Sequence, residues 1–144
     1  MSLDGAYEPD NIFARILRGE IPSAKVYEDA KILALMDAFP QTRGHTLVVH
    51  KTSKARNLLD MEPDALCDVI AGVQKVTRAV RKALDPDGIV VTQFNGAPAG
   101  QTIFHLHFHI LPRWDGKDWG VHGRGQANPE ELARLAKAIA AEIR

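Results

Sequence analysis

The sequence predicts an α+β domain: a mainly antiparallel sheet of about five strands with a long helix packed on one face and a second helix at the C-terminus. Three observations predict it. Short apolar, β-branched runs bounded by turn residues recur through the chain. Apolar residues from Leu66 to Leu84 keep a 3.6-residue period. The 144 residues, 45% hydrophobic and 25% charged, suit one compact domain and not two.

Each element follows from local chemistry. Asp10 ahead of Ile12, Phe13, Ile16 and Leu17, with Gly19 and Pro22 behind, predicts a short capped helix of about two turns. Residues 25–28 and 32–36 form two strands separated by the polar Asp29-Ala30-Lys31, and residues 45–50 a third beyond the Phe39–Gly44 loop. Pro63 and Asp64 open the long helix over 63–84, with Leu66, Val69, Ile70, Val73, Val76, Val80 and Leu84 on its apolar face and Asp85-Pro86-Asp87-Gly88 at its end. Cys67 in this pattern reads as packing. Strands over 89–94 and 103–111 flank a Gly/Pro loop at 95–100, the second ended by Pro112. Asn128-Pro129-Glu130-Glu131 caps a last helix toward Arg144, whose Leu132, Leu135, Ile139 and Ile143 make a stripe that something must cover.

Composition narrows the function classes. Eighteen basic and eighteen acidic residues give no net charge, so the broad field of a nucleic-acid coat is missing and any anion needs a local site. One cysteine allows no internal disulfide and no paired-cysteine zinc site, which suits a reducing, cytoplasmic setting. No run approaches the ~20 apolar residues of a membrane span. Lys51, Lys54 and Arg56 read as a solvated basic cluster and His122 as a solvated loop residue. For Trp114 and Trp119 three roles stay open: covering an interface, reaching a partner's site, or capping the core.

Three of the six histidines, His105, His107 and His109, alternate with Leu106, Phe108 and Ile110. A strand of period two puts the imidazoles on one face and the apolar residues on the other. Stacked imidazoles are costly to bury without hydrogen bonds or a ligand. Two chemistries use such a face: metal ligation with an open position for water, or attack of one imidazole on phosphorus while its neighbours orient it. No carboxylate lies within five residues of the run, and Gly100-Gln101-Thr102 leads straight into it, which favours phosphate.

The same residues carry a resemblance. H-L-H-F-H-I-L, preceded in order by I-F-A-R-I-L-R-G-E-I-P, M-D-A-F-P, R-G-H-T-L-V-V and N-G-A-P-A-G-Q-T-I-F, resembles the histidine triad (HIT) superfamily of nucleotide hydrolases and transferases, nearest in motif to its bacterial, Hint-like branch. The likeness covers residues 10–113, with 1–9 as a tail and 114–144 as an extension of the same domain. A third histidine, His109, sets it apart from the uridylyltransferase branch, where glutamine usually stands.

The resemblance implies a cytoplasmic homodimer, needing no cofactor, that cleaves a P–N or P–O bond at the α-phosphate of a purine nucleotide. It implies His107 as nucleophile, His105 and His109 flanking it, and His45 in the relay. By the same likeness Asp37 takes the ribose hydroxyls, Asn95, Gln101 and Thr102 the phosphate and leaving group, and Ile12, Phe13, Ile16 and Leu35 the base. Neither nucleic acid nor membrane is implied as a partner. Many bacterial members carry a zinc-binding Cys-x-x-Cys where this chain has Asn11 and Ala14, so no metal is expected. His50 stands where proline is common and has no implied role. Dinucleoside polyphosphate hydrolysis, nucleotidyl transfer and non-catalytic nucleotide sensing remain as alternatives.

Overall fold

A computed structural model describes residues 2–117 and 125–144. Five strands form one antiparallel sheet in the order β1-β2-β3-β5-β4, built from β1 (Lys25–Glu28), β2 (Ile32–Met36), β3 (Thr46–His50), β4 (Gly88–Thr92) and β5 (His107–Arg113). Among the described residues three α-helices accompany it: α1 (Ile12–Leu17), α2 (Pro63–Leu84) and α3 (Pro129–Ala140). No described helix is long and apolar enough to cross a membrane.

The centre of the sheet is buried on both faces because β2 and β3 are apolar at nearly every position. Ile32, Ala34, Met36 and Val48 point to α2 and α3, whereas Leu33, Leu35, Leu47 and Val49 point to Phe13 and Ile16 of α1. Leu132, Leu135, Ala136 and Ile139 of α3 complete the first layer, so the stripe of the last helix is covered by this chain's own sheet and by α2. Ile143 lies past the helix end, partly buried against the same layer.

Several boundaries differ from expectation. The cap of α1 is Asn11, whose Oδ1 accepts from the Ala14 amide at 3.0 Å, while the exposed Asp10 pairs with Arg18 at 3.2 Å. Ile70 and Cys67 face outward from α2, because its buried stripe runs through Val69, Gly72, Val73, Val76, Ala79 and Val80. The final strand begins at His107, not Ile103, and runs through Pro112 to Arg113. Pro112 is tolerated because β5 beyond Ile110 pairs with β4 alone. Its carbonyl faces away from β4 to accept from the Thr42 hydroxyl at 3.0 Å, so its missing N–H falls on that unpaired side. Arg56 is no solvated cation: it lies over the Phe104 ring and donates to the Ala6 and Ser2 carbonyls. Trp114 closes the α2–β4 turn, its indole N–H donating to the Asp85 carbonyl at 3.2 Å. Trp119 and His122 lie outside the described residues.

Gly44 is required where it stands. Its φ is +87°, and a Cβ there would run into the Leu84 and Pro112 side chains. That turn delivers His45 into the sheet's histidine face.

Candidate active site

Pairing register assembles the site. His109 lies opposite Leu47, which lies opposite Leu35, and His107 lies opposite Val49, which lies opposite Leu33. Residues directly across an antiparallel ladder share a face, so both imidazoles stand in one row with the apolar patch under α1. The Phe13 ring sits 4.8 Å from His107 and 5.9 Å from His105, centroid to centroid, and Phe94 sits 5.2 Å from His109. His105 precedes the strand, yet its ring stays beside Phe13 on the same side.

Hydrogen-bond partners assign the ring protons. His107 Nδ1 lies 2.7 Å from the His105 carbonyl oxygen, which only accepts, so Nδ1 carries the proton and the lone pair is on Nε2. His45 Nδ1 accepts the Gln41 amide at 3.1 Å, so His45 is protonated at Nε2 and donates to His109 Nδ1 at 2.9 Å. His109 thereby carries its own proton on Nε2. His105 Nε2 faces the His50 carbonyl at 3.2 Å and its Nδ1 receives the Tyr7 hydroxyl at 2.7 Å. Burial lowers the His105 imidazole to about 4, which keeps it neutral.

Asp37 is buried beside this chain, with Oδ1 accepting from the Phe39 amide at 2.8 Å and Oδ2 at 3.4 Å from His45 Nε2. Among the described residues Asp37, His45 and His109 bring ligand atoms within 4.8 Å of one another, close enough for a metal ion. The proton pattern opposes one: His45 would have to coordinate through Nε2 while Nδ1 still accepts the Gln41 amide, which requires an imidazolate. The positions matching the family's cysteine pair do not fit zinc either, since Asn11 caps α1 and Ala14 offers no donor atom.

The remaining candidates divide. Phe13, Ile16 and Leu35 are buried in the layer under α1, whereas Ile12 is 42% exposed. Gln101 is buried and spends its amide on backbone: Oε1 accepts from Gly96, and Nε2 donates to the Arg56 and Ile103 carbonyls. It therefore shapes the loop ahead of the histidines. Asn95 Oδ1 accepts from the Leu58 amide and the Gln93 side chain, and Thr102 is exposed. His50 gains a part: its Nδ1 accepts from the Thr52 and Ser53 amides while its carbonyl holds His105. Tyr7, Gln41, Leu47 and Phe94 border the site without having been singled out from sequence. The period of β3 points to Leu47, but nothing local points to Tyr7, ninety-eight residues from its partner.

This fold, with a histidine row beside the apolar layer under α1, is that of the HIT proteins. A HIT domain profile matches residues 18–116. A solved HIT-like protein of Bartonella henselae superposes with a TM-score of 0.89 at 48% identity, covering 96% of this chain and 100% of that one. Protein hit of Bacillus subtilis is 38% identical over 137 residues, 92% of this chain and 93% of its own length. An adenosine 5′-monophosphoramidase of Schizosaccharomyces pombe is 35% identical over 137 residues, 92% and 98% of the two chains. The chain belongs to the HIT domain family.

Proposed function

We propose that this protein is a nucleotide hydrolase that cleaves a P–N or P–O bond at the α-phosphate of a purine nucleotide and releases the nucleoside monophosphate. The observation that carries the reading is the 2.7 Å contact from His107 Nδ1 to the His105 carbonyl, which fixes the nucleophilic lone pair on Nε2. His107 is also the most accessible of the three triad histidines, at 8% against 2% and 3%. The phosphoramidase activity in the name of the yeast relative supports the same chemistry.

In the proposed reaction Nε2 attacks the α-phosphorus, a P–N bond to the imidazole forms, and the bond to the leaving group breaks with its electron pair. The leaving group departs protonated, its proton supplied by solvent. Water then attacks phosphorus, the P–imidazole bond breaks with its electron pair returning to Nε2, and the proton that the water loses goes back to solvent, which regenerates neutral His107. His109, protonated on Nε2 through the His45 chain, supplies a hydrogen bond to a phosphoryl oxygen as charge develops. Asp37 accepts from the ribose hydroxyls, and Phe13, Ile16 and Leu35 line an apolar slot for the base. We read the working form as a homodimer joined along β4, an edge strand whose Val91 is 44% exposed.

The test is turnover of adenosine 5′-phosphoramidate by the wild type and by His107→Ala. The wild type is expected to release AMP and, on acid quench, to carry a nucleotidyl adduct. The variant is expected to lose turnover while binding AMP within about tenfold of wild type. Activity retained in His107→Ala would overturn the assignment.

A further inference from the structure

We propose that Tyr7 is a positioning residue of the histidine site, acting through His105 to hold the His107 ring in its reactive tautomer. The inference rests on the nucleophilic reading of His107 and extends it to a residue outside the matched family region, which begins at residue 18.

The His105 backbone aims the nucleophile. Its carbonyl fixes the proton of His107, so its position sets the direction of the nucleophile. Yet His105 lies ahead of β5, and the ladder to β3 reaches only as far as the Val49–His107 pair. The neighbouring Leu106 amide is tied to the Ala55 carbonyl at 3.0 Å. That amide and the His105 carbonyl belong to one planar peptide unit, so Ala55 holds it from one side; the other side is held by the His105 side chain, which is gripped at both ends. Nε2–H donates to the His50 carbonyl at 3.2 Å, and Nδ1 accepts the Tyr7 hydroxyl at 2.7 Å.

The two grips depend on each other. A neutral imidazole has one proton, and the Tyr7 hydroxyl stabilises the tautomer that places it on Nε2. Without that hydroxyl, Nδ1 is a lone pair in a residue only 2% exposed. The ring then gains by turning Nδ1 toward another donor or toward water, and that rotation pulls Nε2–H off the His50 carbonyl and shifts the His105 backbone with it.

Tyr7 is itself anchored. Arg56 donates to the Ala6 carbonyl at 3.1 Å and the Ser2 carbonyl at 3.3 Å, and Asn57 Nδ2 donates to the Leu3 carbonyl at 3.0 Å. Arg56 also lies over Phe104, next to His105 in the chain. The N-terminal segment is thus fastened to the loop at 55–57 from which Leu106 also hangs. One short assembly sets both the phenol and the imidazole it addresses.

The test is Tyr7→Phe in the full chain, which keeps the ring and its 5.7 Å contact with His105 and removes only the hydroxyl. With adenosine 5′-phosphoramidate, kcat is expected to fall about tenfold while KM stays within about twofold, as for misdirection of a nucleophile without loss of binding contacts. Long-range proton–nitrogen NMR of the histidine rings is expected to show His107 leaving its Nδ1–H form in the variant. A lowered melting temperature with unchanged kcat and an unchanged His107 signature would reduce Tyr7 to a structural tie and overturn the proposal. So would a lower kcat with the His107 tautomer unaltered. If the wild type turns over no nucleotide, the hydrolase reading fails by itself, while the NMR comparison still decides whether Tyr7 governs His107.

Discussion

His45 Nε2 lies 2.9 Å from His109 Nδ1, and because His45 Nδ1 already accepts a backbone amide, the proton between the two rings belongs to His45. A main-chain N–H at Gln41 therefore sets the protonation of a ring two hydrogen bonds away. His109 is expected to show an Nε2–H signature in the same NMR experiment, and an Nδ1–H signature would contradict the chain. His45→Ala should remove the donor to a buried acceptor, cost about 1–3 kcal/mol in urea unfolding, and lower kcat. Unchanged stability and turnover would dismiss the relay.

Asp37→Asn should weaken binding of ribonucleotides more than of 2′,3′-dideoxy analogues. Charge-assisted bonds to the hydroxyls contribute about 1.5–3 kcal/mol, and only ligands with hydroxyls can lose them. Calorimetric titration with both ligand types checks this, and equal losses would remove Asp37 from the ribose.

The lowered pKa of His105 has a definite sign in the stability profile. A histidine at about 4 when folded, against 6.5 in its reference state, is neutral in the fold where the unfolded chain takes a proton. Its full contribution is present above pH 6.5, is lost as pH falls from 6.5 toward 4, and changes no further below. The span corresponds to roughly 3 kcal/mol. Unfolding free energies measured at intervals from pH 7.5 to 4 should fall more steeply for the wild type than for His105→Gln. Parallel profiles would show that burial of His105 does not control its titration.

Leu135→Ala should lower stability by about 2–5 kcal/mol, since Leu135 is 5% exposed in the layer between α3 and the sheet. Because that layer lies on the face away from His107, kcat and KM should stay at wild-type values at a temperature where the variant is folded. A changed substrate preference would show that α3 reaches the site.

What was legible in the sequence was local and periodic. The α2 stripe, the β3 run and the alternation about His107 each repeat within a few residues, so side-chain period alone told which residues share a face. The end points were less legible, because they depend on which neighbour a strand has. Pro112 reads as a stop but is accommodated where β5 has lost β3, and His105 reads as strand but lies before the ladder. Ile70 keeps the apolar period of α2 and still faces outward, since period identifies a stripe but not its width. Ties between distant segments, such as Tyr7 to His105 or Arg56 to the first residues, left no trace in sequence because one hydrogen bond needs a single suitable side chain and, at its other end, another side chain or any backbone carbonyl.

The sheet divides the molecule into two compartments with little in common. One face of β2, β3 and β5 presents Leu33, Leu35, His107 and His109 to α1, and the other gives Ile32, Ala34, Val48 and Ile110 to α2 and α3. Heat tolerance and ligand choice can therefore drift separately over evolutionary time: a lineage moving to hotter surroundings can refill the α2–α3 side methyl by methyl without touching the α1 side. Conversely, a laboratory library confined to α1 and the Phe39–Gly44 loop would vary the histidine side of the sheet while the α2–α3 layer kept its own packing unchanged.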